Sequence, residues 1–200
     1  MGRLAFGIAA LAFIGFVAPA AAQDQTVRVR GTVERVDDGL YTIKARNGEQ
    51  VKVKLADNAT VIALVKASLG DIKQGSYIGV SGMPQADGSQ RALAIHIFPE
   101  AMRGTGEGHR PWDLQPSSTM TNGAVDQTSA SADGQVLTLR YKDGEKKVIV
   151  PADCPIVSFN PGDRSELRPG TGVFIVAQKQ TDGTLLSQRV NVGRGVAPPM

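Results

Sequence analysis

Cysteine is almost missing from this chain of 200 residues: Cys154 stands alone, so no intramolecular disulfide forms and stability has to come from packing. Aromatic side chains are scarce too, at 5%, which leaves few of the stacking platforms that single-stranded nucleic acids require. There are two histidines, and neither an H-x-x-x-H nor a C-x-x-C spacing of the kind that holds zinc. Hydrolase signatures such as G-x-S-x-G and H-E-x-x-H do not occur. Gly104-Thr105-Gly106-Glu107-Gly108 fails as a phosphate cradle, because it lacks the third glycine and places an acid where phosphate would sit. Long apolar runs are confined to the start of the chain. No later segment approaches the roughly 20 apolar residues that span a bilayer.

That first run has a recognisable form. Arg3 precedes an apolar stretch from Leu4 to Ala18, then Pro19 and Ala20-Ala21-Ala22 offer small residues before a cut at Gln23. Positive region, apolar region and A-x-A site together read as a secretory signal peptide over residues 1–22. The mature protein is then expected in the periplasm, and not as an integral membrane protein. Removing Arg3 from the 22 Lys and Arg side chains leaves 21 against 19 acidic ones. The pI of about 9.1 therefore does not by itself imply nucleic acid, and no nucleic-acid partner is expected.

What the mature chain does contain is itself, twice. Asn47-Gly48-Glu49 matches Asp143-Gly144-Glu145, and Asp71-Ile72-Lys73-Gln74-Gly75 matches Glu166-Leu167-Arg168-Pro169-Gly170. Asp87-Gly88 matches Asp182-Gly183, Ile95 and Ile97 match Val190 and Val192, and Gly31-Thr32-Val33 matches Gly123-Ala124-Val125. Each unit reads as strands of period two: Val27, Val29 and Val33 alternate with charged residues, as do Val51, Val53 and Leu55. Asn47-Gly48 marks a hairpin. Short helical turns are expected near Ser68–Lys73 and Arg164–Leu167. Three strands, a connection with a helical turn and two more strands is the order of a five-stranded OB-type barrel. The expectation is all-β: two tandem OB-like barrels over residues 23–99 and 121–194, joined by a long ordered loop over 100–120, with a flexible tail over 195–200.

Three motifs carry a resemblance. Val29-x-Gly31-Thr32-Val33, Tyr41-Thr42-Ile43-Lys44 and the run Asp71–Gly82 resemble the OB-like domains of bacterial exported proteins of unknown function. The segment Arg103–Asn122 is similar to one found in a Gram-negative subgroup of them. Some of these proteins bear the label metal ABC transporter permease. That label conflicts with a chain having no apolar span after its leader, and leaves only metal transport as context. The resemblance implies a fold and no activity.

Candidate site residues fall in two places. The joining segment holds the single tryptophan, Trp112, with Arg103, Glu107, His109, Arg110 and Asp113, and a loop of such length in a compact protein is commonly functional. Its plainer reading is glue between barrels. Glu107, His109 and Asp113 are the candidate metal ligands. His96, alternating with Ile95 and Ile97, is expected on the surface. Strand parity also puts Arg28, Arg30, Lys44, Arg46, Lys52 and Lys54 on one outward basic face, across which OB domains often bind; its plainer reading is a solvated surface. The expected function is non-enzymatic binding or adaptor work on an anionic envelope polymer or protein partner, without a cofactor. The alternatives are a metal-handling accessory protein and an enzyme of unrecognised type in the inter-barrel crevice.

Overall fold

Residues 26–132 and 134–200 are described by the computed structural model; the leader expected over residues 1–22 lies outside them. Among the described residues the chain forms twelve strands and no α-helix. They are β1 (Thr26–Asp37), β2 (Leu40–Ala45), β3 (Gln50–Ala67), β4 (Tyr77–Pro84), β5 (Gln90–Ile97), β6 (Gly108–Pro111), β7 (Thr119–Ser131), β8 (Gly134–Tyr141), β9 (Gly144–Val150), β10 (Ile156–Pro161), β11 (Gly172–Lys179) and β12 (Leu185–Arg194). Period-two alternation works as expected: Val53 and Leu55 are buried while Lys52 and Lys54 between and beside them are exposed. At the Asn47-Gly48 hairpin, Gly48 takes a positive φ of 88° and its N–H donates to the Ala45 carbonyl (2.9 Å).

Five strands close into a barrel. β1 pairs with β2, β2 with β3, β3 in parallel with β12, β12 with β11, and β11 back with β1. Its interior is filled by Val29, Val33, Ile43, Val53, Ile175 and Val190 among others, each contributing roughly 1.5–3 kcal/mol by leaving water. The other strands follow the same connectivity: β4 pairs with β5 and β7, β7 with β8, and β8 with β9. A two-residue parallel contact between β9 and β5 completes that path around a second apolar cluster built on Ile78, Ile95, Leu137 and Val148.

The tandem arrangement, with each sequence unit wrapping its own core, is not how these strands pair. The barrel takes β1 to β3 from the first unit and β11 and β12 from the second. The second group takes β7 to β9 from the second unit and β4 and β5 from the first. The cause is β3. The stretch around Val61–Leu64 continues the strand to 18 residues, up to roughly 60 Å of reach. It carries the chain past its own barrel and delivers β4 and β5 to β7.

The exchange is reciprocal down to single hydrogen bonds. Gly75 donates to the Val125 carbonyl and its repeat counterpart Gly170 to the Val33 carbonyl, both at 2.8 Å. The two short helical turns, Leu69–Asp71 and Arg164–Glu166, each carry a capping box, closed by Ser68 with Asp71 and by Asp163 with Glu166. Between the two groups runs an antiparallel ribbon of β3 and β10, in which Leu64 lies opposite Phe159. One face of that ribbon bears a third apolar cluster of Ile62, Leu64, Val157, Phe159, Phe174 and Met200. Met200 is only 5% exposed, so the segment 195–200, expected as a flexible tail, is docked by its apolar end.

Candidate functional site

The joining segment is ordered by its own hydrogen bonds. After β5, Pro99 leads into a single helical turn, Glu100–Met102, and β6 then pairs antiparallel with β7. The Tyr77 hydroxyl and the Asn122 amide both donate to the Thr105 carbonyl, at 3.3 and 3.0 Å. Arg110 donates to the Gly106 carbonyl (2.6 Å), and a side chain at Gly106 would meet that guanidinium. Beyond β6, the Trp112 N–H donates to the Ser118 carbonyl (2.8 Å), and the Ser118 hydroxyl returns a bond to the Trp112 carbonyl (3.1 Å). The tryptophan is thus held at the mouth of a hairpin.

Around it the two predicted groups of residues meet. The Arg28 guanidinium lies 4.4 Å from the Trp112 ring centroid, Arg110 at 5.7 Å and Arg30 at 5.9 Å. Phe174 meets the indole edge-on at 6.5 Å, and Arg30 also stands 4.9 Å over the Phe174 ring. Asp113 accepts two bonds from Arg30, at 2.7 and 3.3 Å, and lies 3.7 Å from Arg28. Arg30 Nε donates to the Met200 main-chain oxygen (2.5 Å), and Arg46 to the Pro198 carbonyl (2.6 Å). Arg28, Arg30, Arg46 and Arg110 therefore gather where Asp113, paired with Arg28 and Arg30, is the one ion-paired side-chain carboxylate among the described residues.

The electrostatics register this excess. Burial, then the charge of Arg28, lowers the Arg110 pKa, and burial, then Arg30, lowers that of Arg46. Burial pushes Asp113 upward, yet the Arg30 hydrogen bond and the charges of Arg30 and Arg28 outweigh it and hold the carboxyl below its usual range. Guanidinium groups stay charged throughout, so the cluster is a fixed cationic surface. Trp112 Nε1 is buried with no protein partner.

The remaining predicted residues are dispersed. Glu107 accepts from the Lys142 N–H (3.0 Å), His109 Nδ1 lies 2.8 Å from Thr121 Oγ1, and Arg103 pairs with Glu100 (2.5 Å). Among the described residues no three His, Cys, Asp or Glu side chains gather as metal ligands, so Glu107, His109 and Asp113 are not brought together. Burial, then Lys146 and Arg110, keeps the His109 pKa below the usual histidine value. The basic face is divided: Arg28, Arg30 and Arg46 turn to the joining segment and the tail, whereas Lys44, Lys52 and Lys54 remain exposed.

His96 is a correction. It does face away from the core side of β5, but it is 2% exposed, because β10 runs beside β5 and brings Phe159 to 5.8 Å from the imidazole. Burial drives its pKa down to about 4 against a hydrogen bond to Gly79 that raises it, and Nε2 has no protein partner. Cys154 is also an unreactive group: burial first, then Asp153, pushes its thiol up to about 12. Sequence reasoning missed the parts played by Phe174, in β11, and Met200, and the apolar character of the tail was a signal for Met200 alone. No protein family, curated protein or solved structure matches the chain.

Proposed function

We propose that the chain is a non-enzymatic binding protein of the bacterial envelope, exported to the periplasm, built from two strand-exchanged OB-type barrels. The proposed ligand is an anionic envelope component held at the junction of Arg28, Arg30, Arg110 and Trp112. One observation carries this reading: Arg28, Arg30, Arg46 and Arg110 gather where, among the described residues, Asp113 is the one ion-paired side-chain carboxylate and Met200 adds a main-chain oxygen, so the site has cationic charge left over for a ligand. Guanidinium forks suit phosphate and carboxylate groups, and they hold charge at every physiological pH, which serves recognition better than proton transfer. Indole packing fixes the forks in advance, lowering the ordering cost of binding. The exposed lysines Lys44, Lys52 and Lys54 lie on the same barrel and extend the positive field that draws an anion in.

Trp112 is the only tryptophan, so its fluorescence reports the site directly. Titration with lipopolysaccharide should change that emission in a saturable way and lose effect with added salt. Arg28→Gln together with Arg110→Gln should weaken the response about tenfold or more. An emission indifferent to lipopolysaccharide, or a double variant that binds as well as the parent, refutes the reading.

A further inference from the structure

Away from the arginine cluster, a groove of about 580 Å³ opens between the β3–β10 ribbon and the helical turn of the joining segment. That volume lies in the range of small-molecule sites. Its floor is apolar: Ile62 and Phe159, 6% and 9% exposed, belong to the central cluster that also holds Leu64 and Met200. Pro99 and Met102 form one wall. At the far end, Gly162 lets the turn after β10 settle onto β3, since a Cβ there would meet the Ala63 nitrogen and Val61 Cγ1, each at 3.0 Å.

The mouth is charged, and with one sign in excess. Arg164 is anchored by donating to the Ala56 and Asp57 carbonyls, which fixes its guanidinium without neutralising it. Arg189 lines the same mouth, exposed, and among the described residues no carboxylate ion-pairs with it. Asp163 is the one acid on the rim, and it is turned into its cap, accepting from the Ser165 N–H at 2.8 Å. Cationic mouth and apolar floor demand a molecule with the complementary halves.

We infer that this groove binds a medium-chain carboxylate, its acyl chain lying on Ile62 and Phe159 and its head group paired with Arg189 beside Arg164. An uncharged chain of the same length gains the apolar contacts alone. The inference is independent of the anion site at Trp112, with which the groove shares no lining residue.

The test is equilibrium dialysis of the purified full chain with radiolabelled decanoate and, in parallel, decanol. Decanoate should bind at one site per chain and decanol more weakly. Arg189→Gln should weaken decanoate about fivefold, to the level of decanol, and leave decanol unchanged. Thr60→Trp, which places bulk in the groove from an exposed position, should abolish both; Pro161→Trp serves if that variant does not fold. The inference is overturned if decanoate fails to bind at about 1 mM, if decanol binds equally well, or if a folded groove-filling variant binds like the parent.

Discussion

Arg28 rests its guanidinium 4.4 Å from the centroid of Trp112, a contact that joins the first strand of the barrel to the segment between the repeats. Because the same indole meets Arg30, Arg110 and Phe174, it ties β1 and β11, distant in sequence, to the joining segment that carries it.

Trp112→Ala should therefore destabilise the protein by about 2–3 kcal/mol, less than a fully buried tryptophan, through lost packing and cation–π contacts. Urea unfolding followed by circular dichroism measures it. A loss under about 0.5 kcal/mol would show that the indole is not a structural contact.

His96 predicts an acid-sensitive stability. Its folded pKa of about 4 lies below the ordinary histidine value of 6.5, so protons bind better to the unfolded chain. The stabilising contribution is complete above pH 6.5 and disappears as pH falls from there towards 4, about 3 kcal/mol in full. His96→Asn, copying Asn191 at the matching repeat position, should flatten the stability curve between pH 6.5 and 4.5 relative to the parent. Parallel curves across that window would contradict the burial of a neutral imidazole.

Gly31 permits a close strand approach, since a Cβ would stand 2.1 Å from the Lys44 carbonyl oxygen. Gly123, its repeat counterpart, meets the Arg140 carbonyl oxygen in the same way at 2.6 Å. Gly31→Ala should cost about 2–3 kcal/mol, as the clash is with backbone that cannot rotate aside. Thermal denaturation gives the value, and an unchanged midpoint counts against the described hairpin.

Strand exchange makes a claim about fragments. Residues 26–99 and 100–200 expressed apart should each lack a cooperative transition, because each contains only part of either core. Mixing them should restore one transition by circular dichroism. Two fragments that melt cooperatively alone would be incompatible with the exchanged pairing.

Much of this architecture was written in local pattern. Asn47-Gly48, the Ser68–Asp71 and Asp163–Glu166 boxes, and the valine alternation of β1 and β3 all specify their own geometry within a few residues. The matching turns and apolar positions of the two units were legible for the same reason. Partnership was not: period two says which side of a strand faces a core, never whose core it is, and repeated units offer interchangeable strands. His96 shows the limit, its parity correct and its exposure wrong, because the cover arrives from β10 of the other unit. Arg28, Arg30, Arg110, Trp112 and Asp113 each stood out in sequence, but their meeting depends on a long-range path.

A linker used once cannot obey a twofold relation, and the divergence of the halves follows from that. Where one flank has Arg30, Phe174 and Asn191 in a row across its sheet, the other has Asn122, Gly79 and His96. Two separate copies swapping the same strands would be bound to carry identical flanks. Covalent fusion releases them from that obligation, so one flank can collect arginines while its twin exchanges a bulky ring for a hydrogen and takes in an imidazole.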